Sequence, residues 1–371
     1  MRFAPLLFAI VPLYAQNVGI DSHIDTAQRV LIDRADLTQR SAVGHVDIPR
    51  LREGGVNAPF FALWVPTYYK GSEAVRRTLD LRDAMQGLLD AHPEQIALAL
   101  TAADVERITR SGKIAAILAI EGGHQIDDDL AVLRMYYRLG IRAMTLTHFR
   151  NTDWADSSTD QPAHNGLTDF GKQVVREMNR LGMIVDISHV SDKTFSDVLE
   201  ITSKPVIASH SSCRAISDVP RNMTDDMIRV LGKNGGVIGI NFGEGFLNPQ
   251  DAELLKKAIN SISYNEPSLT GKALDSYAAD EAHRDMKPQP TIATIDDAVA
   301  HIDHAVKIAG IDHVGIGSDF DGISSPPKGL EDISKMPALR AALRKKGYSE
   351  QDIRKIFGGN TLRVLREVIG K

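Results

Sequence analysis

Short apolar runs recur along the chain at residues 18–20, 58–65, 114–120, 141–146, 183–187, 205–208, 236–241 and 313–317. Most are continuous stretches of Val, Ile, Leu and Ala rather than alternating ones, the pattern of strands buried on both faces of a parallel sheet. Between them the apolar spacing lengthens to that of a helix. Residues 72–89 carry Ala74, Leu79, Leu81, Met85, Leu88 and Leu89 at helical intervals. A helix at 130–139 follows Asp127, Asp128 and Asp129, whose charges favour the positive end of a helix dipole. Helices at 168–181 and 224–231 each open on a Thr able to cap. Gly140 and Gly182 stand where a helix should stop.

Eight strands alternating with helices predict an α/β fold, a (β/α)8 TIM barrel of the metal-dependent hydrolase type. A doubly wound sheet would need fewer strands and a Gly-rich phosphate loop, yet neither GxGxxG nor GxxxxGK[ST] occurs. A GxSxG nucleophile elbow and an HExxH pair are absent as well. One stretch breaks the rhythm. Residues 243–292 are polar and carry Pro249, Pro267, Pro288 and Pro290, with a short helix expected at 251–259 and another at 294–309. A structureless connection of that length is uncommon. Two readings stay open: a surface insertion, or a lid beside the strand ends where barrel chemistry gathers.

The N-terminus reads Met1, Arg2, an apolar run over 3–15, then Gln16. A single positive charge, a short apolar run and a small residue before a polar one match a secretory signal. The run is too short to span a bilayer; a buried first strand is the alternative. The expected organisation is a signal at 1–15 and one catalytic barrel domain at 16–371, with an insertion at about 243–292. The last residues include no hydrophobic tail for a lipid anchor. The expectation is an exported enzyme, periplasmic or secreted, without a stable membrane anchor.

Charge and cysteine narrow the chemistry. Lys and Arg number 43 against 48 Asp and Glu, a net of −5, so nothing attracts a nucleic acid. The single cysteine, Cys213, excludes an intrachain disulfide and every Cys-rich zinc module. Any metal site must use His, Asp and Glu, and there are 12 histidines. These residue types gather where the predicted strands end. The first run closes with Asp21-Ser22-His23-Ile24-Asp25, in which His23 and Asp25 share one face of an extended chain. The others give Glu121-Gly122-Gly123-His124, Thr147-His148, Asp186-Ile187-Ser188-His189, Ser209-His210 and Ser318-Asp319-Phe320-Asp321-Gly322. Singly, each has a structural explanation, a hydrogen-bonded histidine or a solvated loop acid. Together at one rim they suit zinc or a similar borderline metal. A carboxylate between two His-bound ions suits a two-metal site that forms a bridging hydroxide at neutral pH.

With Asn151-Thr152-Asp153-Trp154-Ala155-Asp156, Ser209-His210-Ser211-Ser212 and Arg221-Asn222 added, the motifs keep an order and spacing that covers residue 18 to the C-terminus. In this the chain resembles the membrane dipeptidase (renal dipeptidase) family of zinc peptidases, within the metal-dependent amidohydrolase superfamily. The resemblance implies two Zn2+ ions per subunit, one held by His23 and Asp25, the other by His189 and His210, with Glu121 bridging. His148 would contact the substrate carbonyl or its oxyanion, Arg221 would bind the terminal carboxylate, and Asp319 would move the proton from the bridging water to the leaving amine. Glu121, His148 and Asp319 are thus the expected catalytic residues, a dipeptide the expected substrate and a homodimer the expected assembly.

Bacterial relatives include enzymes acting on dipeptides with a D-residue at the second position. Mammalian relatives have disulfides and a lipid anchor, neither of which is expected of this chain, and a shorter segment in place of residues 243–292. Two rivals remain: lactone or cyclic-amide hydrolysis on the same metals, with no use for Arg221, and a non-catalytic barrel-fold binding protein. Cys213 is expected to be a packed small residue, His124 and His164 structural, and Trp64 and Trp154 either pocket lining or packing.

Overall fold

In a computed structural model the chain is described over residues 18–253, 256, 267–285 and 291–370; the expected signal at 1–15 lies outside these. Seven parallel strands form the wall in the order β1 (Phe60–Trp64), β3 (Ile114–Glu121), β4 (Ile141–Thr145), β5 (Ile184–Asp186), β6 (Ile207–Ser211), β7 (Val237–Ile240) and β8 (Val314–Ile316). An eighth, β2 (Ile96–Leu98), pairs only with the start of β3, outside the ring.

Residues 20–25 close the ring between β8 and β1. Ser22 N donates to Ile316 O at 2.8 Å, Ile24 N to Phe60 O at 3.0 Å and Ala62 N to Ile24 O at 2.9 Å. Ile24 bridges both Phe61 and Phe320. The expected first strand is therefore displaced. The apolar run 18–20 meets the end of the chain, with Ile20 N donating to Phe357 O at 2.9 Å, and sheet pairing falls on the polar residues after it.

Strand side chains alternate between two packing layers. Phe61, Leu63, Leu118, Ile120, Met144, Val185, Ala208 and Ile238 join the core shared with the surrounding helices. Phe60, Ile117, Ala119, Ala143, Ile184, Ile207 and Val237 fill the barrel interior, together with Leu362 and Leu365 from the helix Asn360–Val368. Glu121 shares the parity of Ile117 and Ala119, so the side chain that follows this interior layer is a carboxylate.

The predicted helices form with the predicted stops. Thr168 caps Asp169–Leu181 by accepting from Gly171 N, Thr224 caps Asp225–Lys233 by accepting from Met227 N, and Asp129 caps Leu130–Arg138. Gly182 adopts φ 79°, the left-handed turn that ends its helix. Within the insertion, residues 249–253 are helical, while most of the expected helix at 251–259 lies outside the described residues.

A helix at Gly271–Asp285, absent from the sequence reading, docks beside the exit of β1. Tyr68 Oη donates to Glu281 at 2.7 Å, Tyr69 Oη to Asp275 at 2.9 Å, and Arg76 pairs with Asp275 at 2.8 Å. Connected on one side to β7 and docked on the other beside β1, the insertion lies on the face where the strands end. Among the described residues no helix is long and apolar enough to cross a membrane.

Candidate metal centre

The parallel ring delivers the ends of its strands to one mouth, and seven histidine and carboxylate side chains meet there below the surface. Glu121 ends β3 and sends its two oxygens to different partners. Its Oε2 lies 3.4 Å from His23 Nε2. Its Oε1 lies 3.1 Å from His189 Nε2, 3.3 Å from His210 Nε2 and 3.8 Å from His148 Nε2. His23 Nε2 is also 3.4 Å from Asp25 Oδ2 and 3.9 Å from Asp319 Oδ1. His189 and His210 present their Nε2 atoms to each other at 2.9 Å. All of these residues except Asp319 are more than nine-tenths buried.

Such an arrangement crowds imidazole nitrogens and carboxylate oxygens together with few hydrogen bonds among them. His23 Nε2 and Asp25 Oδ1 find no hydrogen-bond partner among the described residues, a cost that a buried polar atom does not bear unless something else binds it. Three overlapping groups, His23/Asp25/Glu121, His23/His210/Asp319 and Glu121/His148/His189, each bring their ligand atoms within 4.8 Å of one another. Nitrogen and carboxylate donors without sulfur suit zinc or a similar divalent ion. The donor set fits a cation pair: Glu121 faces His23 and Asp25 with one oxygen, and His189 and His210 with the other.

The electrostatics agree. Burial, then the charge of Arg221 or a neighbouring imidazole, holds His148, His189 and His210 well below the ordinary histidine range, so each is neutral. Burial raises Glu121 and Asp25 above the usual carboxylate range. On His23 burial is overcome by the charges of Glu121 and Asp25, which hold it above its usual value. Burial pushes Asp319 up to about 6. Its Oδ2 accepts from Asn241 Nδ2 at 2.9 Å, leaving Oδ1 turned toward His23. Gly322 sits beneath both acids. A Cβ there would collide with Asp25 Oδ2 and lie 2.7 Å from Asp319 Oδ1, so only glycine leaves room for the pair.

Arg221 comes from the loop after β6 and is 4% exposed. Nη2 donates to His210 O at 3.2 Å and the guanidinium lies 5.3 Å from the Phe246 ring. Nε and Nη1 have no partner among the described residues. Burial lowers its pKa to about 10, so it stays charged at neutral pH. A buried planar cation with unused N–H groups has the chemistry to receive a carboxylate.

The sequence of residues 9–370 matches the model of the membrane dipeptidase family, peptidase family M19. The chain belongs to that family. It is 38% identical to the dipeptidase tcpJ of Claviceps purpurea (strain 20.1), over 89% of this chain and 70% of that one. Against the dipeptidase verJ of Clonostachys rogersoniana the identity is 36%, over 88% and 76%. Among solved structures, dipeptidase AC, a family M19 metallopeptidase, superposes with a TM-score of 0.80 at 28% identity, covering 96% of this chain and 99% of its own. A Rhodobacter sphaeroides metallopeptidase holding a phosphinate mimic of L-Ala-D-Ala gives 0.78 at 27%, covering 95% and 99%. The chain is thus a metallo-dipeptidase by family, on an α/β barrel of the metal-dependent hydrolase type.

Within this dipeptidase-family fold every expected ligand and Asp319, His148 and Arg221 converge. The residues set aside are placed elsewhere or serve packing. Cys213 is buried, its N–H donating to His301 Nδ1 at 3.0 Å. His164 bonds Thr152 O at 3.0 Å. Trp154 packs under Gly123, where a Cβ would strike its ring. Trp64 does reach the site, 5.5 Å from the His148 ring. Sequence alone marks Asn241 as the end of a strand and Gly322 as the close of the β8 motif but assigns neither a role; Asn241 holds Asp319 and Gly322 leaves room for Asp25 and Asp319.

Proposed function

We propose that this chain hydrolyses the peptide bond of dipeptides at a pair of zinc ions, one held by His23 and Asp25, the other by His189 and His210, with Glu121 shared. The observation carrying this reading is the division of Glu121, Oε2 toward His23 and Oε1 toward His189 and His210. When bound, such ions polarise the scissile carbonyl as Lewis acids and acidify a water at neutral pH.

This chain's own side chains do the rest. Arg221 anchors the terminal carboxylate of the substrate through Nε and Nη1, fixing the register of the peptide bond and restricting the site to very short peptides. His148, neutral and donating from Nε2, faces the oxygen on which negative charge develops; a preorganised donor of this kind is worth about 3 kcal/mol. Asp319 receives the proton at Oδ1 while Asn241 fixes Oδ2, then passes it to the departing amine. The unused fork of Arg221 favours this over lactone or cyclic-amide hydrolysis, which leaves no free carboxylate to bind. Substrates with a D-residue in the second position are part of the proposal, supported by the L-Ala-D-Ala mimic bound to the Rhodobacter sphaeroides relative.

A library of L-L and L-D dipeptides, assayed with metal analysis on the same sample, tests it. Turnover with two zinc ions per chain is expected. A ratio near one overturns the shared pair, and two ions without turnover overturn the dipeptidase reading.

A further inference from the structure

Behind His210 lies a chain of hydrogen bonds that no part of the reaction uses. Ser209 Oγ is 2.8 Å from His210 Nδ1 and donates to Asp186 Oδ2 at 2.5 Å. Asp186 is 3% exposed and is saturated with donors. Thr145 Oγ1 reaches Oδ2 at 2.6 Å, and the backbone N–H groups of Ser188 and Ser209 reach Oδ1 at 3.0 and 2.9 Å.

The direction of the protons follows from these partners. A carboxylate can only accept, so the single proton of the Ser209 hydroxyl points at Asp186. Toward His210 the same oxygen can then only accept, which places a proton on His210 Nδ1. In a neutral imidazole that leaves Nε2 bare, and Nε2 is the atom facing Glu121 Oε1 and His189. His189 has no such support: its Nδ1 is without a partner among the described residues, and its backbone sits at φ 68°.

We propose that Ser209 and Asp186 are positioning residues for the metal site, a hydroxyl relay that carries the carboxylate's preference to His210 and fixes the tautomer able to bind an ion. Asp186 joins β4, β5 and β6 through Thr145, Ser188 and Ser209, so the relay also fixes the ring's orientation. Partners behind a metal-bound histidine typically change metal affinity 10–100-fold. Here the effect falls on one ion of the two. The inference rests on the proposed zinc pair, and its test separates the two ideas.

Zinc dissociation constants are measured on the full chain by competition with a chromophoric chelator, for the wild type, Ser209→Ala, Ser209→Thr and Asp186→Asn. The expected result is one constant weakened about 10–100-fold in Ser209→Ala and the other unchanged, the unchanged constant showing that the fold is intact. Ser209→Thr, which keeps the hydroxyl, returns it toward wild type. Asp186→Asn weakens it further, because the amide donates to Ser209 Oγ, turns its proton toward His210 and selects the wrong tautomer. In 15N spectra of histidine-labelled protein, His210 carries its proton on Nδ1 in the wild type and not in Asp186→Asn. Equal constants in the wild type and Ser209→Ala overturn the relay. A wild type that binds a single ion overturns the pair, and the relay then stands or falls on whether Ser209→Ala weakens that ion.

Discussion

Replacing Arg221 with Met keeps much of the side chain's length and its packing on Phe246 while removing the charge. Among the described residues the guanidinium makes one hydrogen bond, to His210 O, and none to a proposed ligand side chain, with Nε and Nη1 left unused. The substrate carboxylate therefore meets two N–H donors of a buried cation. Hydrogen bonds to charged groups contribute about 1.5–3 kcal/mol each. Allowing for desolvation of the carboxylate, a net loss of about 3 kcal/mol is reasonable, which is about 150-fold in kcat/KM at 1.36 kcal/mol per decade. The carboxylate is bound equally before and during reaction, so the loss belongs in KM. The decisive assay compares a dipeptide with the corresponding dipeptide amide. The wild type should favour the free acid by about the same factor of 150; in Arg221→Met the two should react alike. Zinc content should not change. An unaltered acid-to-amide ratio, or loss of metal in place of the KM effect, refutes the clamp.

Three further outcomes are expected. His148→Ala should retain its metal but lose about 100-fold in kcat, as removal of an oxyanion donor does, and inductively coupled plasma analysis beside kinetics checks both. Gly322→Ala pushes a methyl group into Asp25 and Asp319, so it should lose affinity for the ion at His23, read by chelator competition. Asp21 is fully buried with Oδ2 unpartnered among the described residues, and burial raises its pKa from 3.8 to about 6. The folded state thus holds this proton more tightly than the unfolded chain, and the stability it contributes is complete below pH 3.8 and lost as pH rises through about 6. In chelator-treated protein, Asp21→Asn should match the wild type near pH 3.5 and exceed it by about 3 kcal/mol at pH 7. A pH-independent difference in urea unfolding would show that the carboxyl ionises freely.

The proposed metal ligands were readable because a parallel barrel sends every strand end to one face. His23 and Asp25, Glu121, His189 and His210 each follow an apolar run, so the strand pattern alone collects them. Arg221 follows no strand closely, and only the family resemblance pointed to it. Asp186 and Ser209 stood in the quoted motifs, yet their partnership depends on which side of β5 meets β6, a property of pairing rather than composition. The first strand was misplaced because hydrophobicity marks burial, whereas ring closure uses Asp21, Ser22 and His23, whose polar side chains conceal an extended backbone. The helix Gly271–Asp285 escaped notice because it anchors by tyrosine hydroxyls and acids, with Leu274 and Ala278 its only buried apolar residues among those described.

The way residues 20–25 complete the ring bears on durability. The segment is joined to β8 and β1 by a handful of backbone bonds rather than by a full strand. It also bears His23 and Asp25, which face Glu121 on β3 across the mouth. An ion held there, as proposed, would be a rivet through the barrel's seam, adding RT ln(1 + [metal]/Kd) to the closed form. Stripping the metal should loosen this joint before any helix melts, with hydrogen exchange quickening first at the amides of Ile24 and Ala62. With the proposed ion at His23 and Asp25, loading the catalyst and sealing the scaffold would be one event.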